Sequence, residues 1–579
     1  MEERSVELSR RDMLKLGAGA AAGAGTLAAL ANLPAAAAAA TSAAPGSLNE
    51  MTVAQMMAAM AAGNLKSLEL VDFYLARIRT LDQSGPTVNS VIEVNPDARS
   101  IAMGRDAQRR AGTILGPLHG IPVLLKDNID THDGMQTAAG SLGLVGTPAL
   151  SDATMAANLR AAGAVVLGKT NLSEWANFRS FYSSSGWCGR GGQCNNPYAT
   201  DRNPCGSSSG SGAAVSANFT AVSIGTETDG SIVCPANVNG VVGIKPTVGL
   251  VSRAGVVPIS HTQDTVGPHG RTVADAATVL TAIVQRTPDP RDPATTAHRN
   301  LIPRDYRAFL NPGGLRGARI GVARDFEGFS PHTDVIFEQA LSAMRSAGAI
   351  LVDVFFPHIA DINNGTNEFV VLCYDFKGDL QRYFATRVGV PLAGGTLQSA
   401  INFDNAHASS EMPFFAQEIF DLAEAFDITN PNAPTPLGPS YNQALAADRL
   451  FGATEGIDLL LRQNNLQAIV APTEPPAWPT DLINGDHFIF GSSSPAAIVG
   501  YPIINVPMGS SFGVPVGISF MGKAFSEAQL IKLASGFEAV THARQVPQFL
   551  STLPFNTKGE PRRTRRRHLP PQRVAPIHM

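Results

Sequence analysis

The sequence predicts an α/β chain with helices on both faces of one sheet. Two observations lead there. Strand-like apolar runs alternate with helical patterns along most of the chain, which is how a layered α/β structure reads in sequence. The composition, 44% hydrophobic and 16% charged over 579 residues, supplies a large core and is ordinary for a globular protein.

The elements follow in order. Residues 52–62 and 67–81 read as helices, with Thr52 and Ser67 as N-caps and Gly63 and Gly85 just past the ends. In the second, Leu68, Val71, Leu75 and Ile78 recur at helical spacing and form a core-facing stripe. "GIPVLLKDN" is a short apolar strand that ends in a lysine, and "SDATMAANLRAAGAVVLGKTN" is a helix, a glycine turn and a strand. "LRGARIGVARD" and "SAGAILVDVFFP" bracket a further helix as strand–helix–strand. "LQAIVAPT" and "YPIINVPMG" read as buried strands, and "SEAQLIKLASGFEAV" as a closing amphipathic helix. No internal repeat is visible. Residues 360–450 are less regular and rich in Phe, Asn and Pro, the character of an insert that shapes a pocket.

Both ends differ from this body. Arg10 and Arg11 precede a long uncharged Ala/Gly-rich segment, Leu16 to Ala40. This reads as a twin-arginine export signal over residues 1–44, cleaved between about 36 and 44, rather than a membrane anchor, because the segment is weakly apolar and holds Pro34. The expected location is the periplasm or outside the cell, where disulfides are permitted. Residues 45–555 then form one domain. Residues 556–579 form an Arg/Pro-rich tail, with six arginines between Arg562 and Arg573, expected to be disordered. The net charge of −4 gives no reason to expect nucleic acid or an anionic membrane as partner. Five cysteines in so long a chain are no disulfide scaffold. Cys188 and Cys194 are close enough in sequence to pair, and a free buried thiol is an equal reading for each.

Three motifs mislead. Gly163 to Thr170 fits the phosphate-loop pattern, but Ala164, Val165, Val166 and Leu167 make a strand where the mechanism needs a loop of exposed amides. "GAGAAAG" from Gly17 imitates a dinucleotide fingerprint inside the export segment. Gly206-Ser207-Ser208-Ser209-Gly210 satisfies the G-x-S-x-G elbow of α/β-hydrolases, with Ser208 as nucleophile. That needs a later His, and neither His487 nor His542 has a telling context. The twelve histidines also form no H-E-x-x-H or other metal-like cluster. A hydrolase here is expected to work without His, metal or cofactor.

Lysine can activate a serine once desolvation makes its neutral amine accessible near pH 7. Lys126 ends the apolar run "IPVLLK" and suits that role. Two Ser/Gly stretches follow, "CGSSSGSGAAV" and "GTETDGSIVCP", and in the second Ser231 follows Gly230, where backbone can approach a ligand closely.

"HGIPVLLKDNID", "CGSSSGSGAAVSA", "GTETDGSIVCPANVNGVVGIKPTVGLV" and "QDTVGP" together resemble the amidase signature family. Lys126 precedes Ser207 by 81 residues, and Ser207 precedes Ser231 by 24 (231 − 207), the family's usual gap. "SEWANF", "SGWCGRGGQCNNPY" and "GTETDGSIVCPA" look most like its bacterial peptide amidases, which remove ammonia from the C-terminal amide of peptides. The resemblance implies a single domain with a central mixed β-sheet. It implies Ser231 as nucleophile, Ser207 as a bridging serine after a cis peptide bond, and Lys126 as base. It also implies an oxyanion hole from the backbone amides of Thr228, Asp229, Gly230 and Ser231.

Many members have Gly-Gly-Ser-Ile-Arg where this chain has Asp229-Gly230-Ser231-Ile232-Val233. Asp229 puts a carboxylate beside the site and Val233 removes an arginine. Neutral amides are therefore expected to be preferred over amides that carry a carboxylate, with a structural, amide-capping Asp229 as the equal alternative. Trp175, Trp187 and Phe181 are pocket or core residues, and Lys245 is expected to position backbone.

The leading expectation is an exported amidase that converts a carboxamide, that of peptide C-termini first, to carboxylate and ammonia. Aryl or aliphatic amides, an amidotransferase A subunit that supplies ammonia, and a non-catalytic exported binding protein are the alternatives.

Overall fold

The computed structural model describes residues 48–554 apart from His298. The export segment and the Arg/Pro-rich tail lie outside the described residues. Eleven strands form one sheet: β1 (Val91–Val94), β2 (Pro122–Lys126), β3 (Val165–Thr170), β4 (Val222–Glu227), β5 (Val242–Lys245), β6 (Thr265–Gly270), β7 (Arg319–Ala323), β8 (Ile350–Val354), β9 (Ala468–Pro472), β10 (Ile503–Ser511) and β11 (Val514–Met521). Their order is β1-β3-β2-β4-β6-β5-β10-β11-β9-β7-β8. The sheet is mixed. β3-β2-β4 and β9-β7-β8 run parallel, while antiparallel pairings join the middle and hold β1 on the edge.

Alternation along the strands explains why helices cover both faces. In β9, Ala468 and Val470 join one apolar cluster while Ile469 and Ala471 join another. β10 divides Ile504 and Val506 from Ile503 in the same way. Successive side chains of a strand point to opposite faces, so each cluster is one face of the sheet. The first also takes Phe337 and Leu341 of helix Pro331–Ser346 and Leu530 and Phe537 of helix Glu527–Thr541. The second takes Val233, Leu460 and Ala496 from shorter helices.

The first predicted helix spans Val53–Ala61 with a Thr52–Gln55 capping box. The second begins at Ser67, but Lys66 is its N-cap. Ser67 lies inside the first turn and donates its hydroxyl to the Gly120 carbonyl at 2.7 Å. Residues 360–450 are not irregular. They hold helix Thr366–Phe384 and helices Leu397–Ala406, Glu418–Glu424 and Tyr441–Arg449, packed around their own apolar cluster. Trp175 belongs to that cluster, edge-on to Phe384 and Phe420. The prolines of this insert, such as Pro391, Pro413 and Pro431, fall in the connections between its helices and divide its helical period into short pieces.

Helix Ser209–Ser216 packs Gly210 against the backbone that flanks β1 and β3. A methyl at Gly210 would lie 2.6 and 2.7 Å from the carbonyl oxygen and amide nitrogen of Asn171, and closer still to the Ser90 carbonyl. Nothing lies within 4 Å of the same position on Gly104, in helix Ala98–Arg110. In an open helix, Gly→Ala stabilises by about 0.5–1 kcal/mol. Gly104→Ala should do so in chemical denaturation, whereas Gly210→Ala should destabilise by at least ~2 kcal/mol because backbone cannot yield to the methyl.

Cys205 and Cys234 form a disulfide with Cα atoms 5.9 Å apart, while Cys188 and Cys194 stay free and buried. The bond joins the Ser207 stretch to the helix after Ser231. Its sequence separation is 29 residues, so by loop closure it contributes roughly 3–4 kcal/mol. Replacing both cysteines with alanine should lower the unfolding free energy by that order, and a loss below ~1 kcal/mol would show that the two motifs hold together without it.

Candidate active site

The site lies where β2 and β4, parallel neighbours, reach their C-terminal ends, the usual place for a site in parallel α/β structure. Lys126 is the last residue of β2 and is fully buried. The apolar run before it fills the sheet interior, so the amine emerges beneath the surface. Its Nζ donates to Ser207 Oγ at 2.7 Å and to Thr226 Oγ1 at 2.8 Å. Asn128 Nδ2 also donates to Thr226 Oγ1 (3.0 Å), which fixes that hydroxyl. Burial pushes the Lys126 pKa down to about 7, although Asp264 and Glu227 pull it upward.

The peptide bond between Gly206 and Ser207 is cis. A side chain at Gly206 would run into Ser173 Oγ, so glycine is required there. Ser208 N donates to the Ser231 carbonyl at 3.2 Å, which brings the two serine motifs side by side. Ser208 itself is a backbone staple. Its Oγ donates to the Thr226 carbonyl (2.9 Å) and accepts from the Thr226 amide (3.2 Å). A hydroxyl so engaged is no exposed nucleophile. Ser231 is buried to 8% exposure, and its Oγ has no hydrogen-bond partner among the described residues.

The turn Thr228–Ser231 is held from both sides while its amides stay open. Glu227 Oε2 accepts from the amides of Ile232 (2.7 Å) and Val233 (2.9 Å) and so anchors the helix that follows. Thr228 Oγ1 donates to Asp264 Oδ1 at 2.6 Å. Gly230 sits at φ +77°, a left-handed conformation that suits glycine. No acceptor within the protein takes the amides of Thr228, Asp229, Gly230 or Ser231 among the described residues. Four amides on one tight turn beside a free hydroxyl can bind an oxyanion formed on a carbonyl that Ser231 attacks.

Other expectations fare variously. Lys245 Nζ donates to the backbone carbonyls of Tyr501 and Ala496, a positioning role. The Gly163–Thr170 motif is a turn and strand β3, with Lys169 donating to Ile129 O and Thr137 Oγ1. Val233 is wholly buried against Phe326, Phe356 and Ile469, so an arginine there would enter the apolar core rather than bind a substrate anion. Trp187 is buried and Phe181 is 39% exposed. Two histidines do gather carboxylates: His261 Nδ1 lies 3.0 Å from Asp379 and 3.5 Å from Asp375, with Arg382 also on Asp379, and His358 lies 2.6 Å from Glu455 and 3.3 Å from Asp361.

The sequence reading missed Thr226, Asn128, Asp264 and the disulfide. Asp264 stood in the quoted "QDTVGP" without a role. Cys205 and Cys234 stood inside the two serine motifs, a placement that was the available signal for their pairing.

The amidase family model matches residues 69–531. The peptide amidase of Stenotrophomonas maltophilia has a solved structure 48% identical to this chain, with a TM-score of 0.79 over 86% of this chain and 99% of that one. A probable amidase of Arabidopsis thaliana is 42% identical over 513 residues, 87% of this chain and 93% of the relative. A glutamyl-tRNA(Gln) amidotransferase subunit from Chloroflexus aurantiacus is 33% identical over 85% of this chain and 97% of its own. With Lys126 and the two serine motifs converging at the ends of β2 and β4, this chain is a member of the amidase signature family of hydrolases.

Proposed function

We propose that this chain is an exported amidase that hydrolyses the C-terminal carboxamide of peptides through an acyl-enzyme on Ser231. The observation that carries the reading is the 2.7 Å hydrogen bond between a wholly buried Lys126 amine and Ser207 Oγ, next to an unengaged Ser231 hydroxyl and four open amides. Neutral Lys126 Nζ takes the Ser207 proton as Ser207 Oγ takes that of Ser231. Ser231 Oγ then adds to the amide carbon, and the oxygen's negative charge rests on the amides of Thr228 to Ser231. When the C–N bond breaks, the proton on Lys126 returns through Ser207 to the departing nitrogen, which leaves as ammonia. Water then attacks the ester by the same proton route and releases the carboxylate.

Similarity to the Stenotrophomonas maltophilia peptide amidase supports the peptide-amide class. Arg10 and Arg11 and the Cys205–Cys234 bond support export, because disulfides persist in oxidising compartments.

The test is ammonia release by the purified protein from a C-terminally amidated dipeptide, benzamide, a fatty amide and free glutamine. The dipeptide amide should be turned over. Ser231→Ala should lose at least about 10⁴-fold in kcat/KM, and Ser208→Ala should act mainly on stability. Turnover of glutamine alone would favour an amidotransferase-like role instead. Dependence on Ser208 with Ser231 dispensable would contradict the nucleophile assignment.

A further inference from the structure

A group of carboxyls surrounds the Thr228–Ser231 turn that the mechanism above does not use. Asp229, within that turn, accepts from Ser494 Oγ at 2.6 Å and shares a side-chain hydrogen bond with Glu368. Glu368, from helix Thr366–Phe384 of the insert, faces Asp229 and accepts from Gln263 Nε2 at 2.8 Å. Asp448 stands behind Glu368, 3% exposed, with Oδ2 unpartnered. None of the three makes an ion pair among the described residues. Lys245, whose ammonium feels the charge of Asp229, donates to the carbonyls of Tyr501 and Ala496.

An independent observation comes from the other side of the turn. Glu474, just past the end of β9, is 1% exposed. Its Oε2 lies 3.8 Å from Cys205 Sγ, which is in the disulfide and has no proton to donate. Its Oε1 points at the turn, 3.6 Å from where a Cβ on Gly230 would stand. Burial first, then Glu227, Asp229 and Asp486, push this carboxyl well above the usual range. Glu368 is raised in the same way by burial and by Asp229 and Asp448. Carboxyls crowded together are unfavourable when all are ionised, and a cation among them relieves the repulsion.

We infer that Asp229, Glu368 and Glu474 form a subsite for a cationic nitrogen of the substrate, close to the scissile carboxamide. This rests on the peptide-amide reading and names its preferred class. The nitrogen is either the α-ammonium of an amino-acid amide or the side chain of a C-terminal lysine or arginine amide. An ammonium donates three hydrogen bonds and a guanidinium five, which suits a wall made of acceptors.

The experiment measures kcat/KM for ammonia release by the purified protein on matched pairs. N-acetyl-lysinamide is compared with N-acetyl-norleucinamide and N-acetyl-glutamic α-amide, and leucinamide with N-acetyl-leucinamide. One cationic member should exceed its neutral partner by about tenfold or more, and which pair does so identifies the source of the nitrogen. The acidic amide should be the poorest substrate. Glu368→Gln and, independently, Glu474→Gln should each reduce the cationic preference at least threefold, which a purely structural role would not do.

Equal rates within both pairs would overturn the subsite and leave the peptide-amide reading standing. So would a preference that survives both variants. Ammonia from benzamide or a fatty amide, with none from any amino-acid amide, would overturn both readings.

Discussion

The structure around the site depends on one buried amine. A lysine at the end of an apolar strand loses its hydration, and its ammonium form loses free energy accordingly. Thr226 and Ser207 supply oxygen partners but no charge. The nearby carboxylates, Asp264 and Glu227, are engaged elsewhere. Asp264 holds Thr228 and the amides of Ile259 and Ser260, and Glu227 holds the amides of Ile232 and Val233. They temper the shift without forming an ion pair with Lys126, which would lock the amine in its charged form. Geometry and charge thus agree on a base poised near neutrality.

This arrangement constrains the chain around it. The Gly/Ser stretch has to pass close against Ser173 and against the backbone of Ser90 and Asn171, which is why Gly206 and Gly210 tolerate no side chain. The disulfide and the Ser208 staple then hold the second serine motif beside the first. Around this rigid centre the helical insert contributes one acidic residue, Glu368, at the edge of the nucleophile turn. A fixed reaction centre with a specificity wall borrowed from an insert is how one family can serve several substrates.

Much of this was legible in the sequence, for stated physical reasons. Strands β2, β3, β7, β8, β9 and β10 announce themselves as apolar runs, and the closing helix keeps its period. β1, β5 and β6 were not read as strands because they are short or broken by glycine and proline, as in "TVGPHG". The β10–β11 hairpin turns at Phe512 and Gly513, both at positive φ, without the Asn-Gly or Asp-Gly signal that marks such turns. Ser67 looks like an N-cap because its type fits, but Lys66 and Glu69 took that place. At the site, Lys126, Ser207 and Ser231 could be picked out because each stands inside a distinctive motif. Thr226 and Glu474 could not, since a lone Thr or Glu carries no mark of what the fold will bring near it.

The pH dependence of kcat/KM tests the buried amine most directly. Only neutral Lys126 can accept a proton, so the rate should rise tenfold per pH unit in acid and level off above about pH 7. Asp264 pulls the lysine's pKa upward, so Asp264→Asn should move that break to lower pH without abolishing it. A profile that stays flat from pH 6 to 9, or one that breaks only near the ordinary lysine value of about 10, would contradict the account.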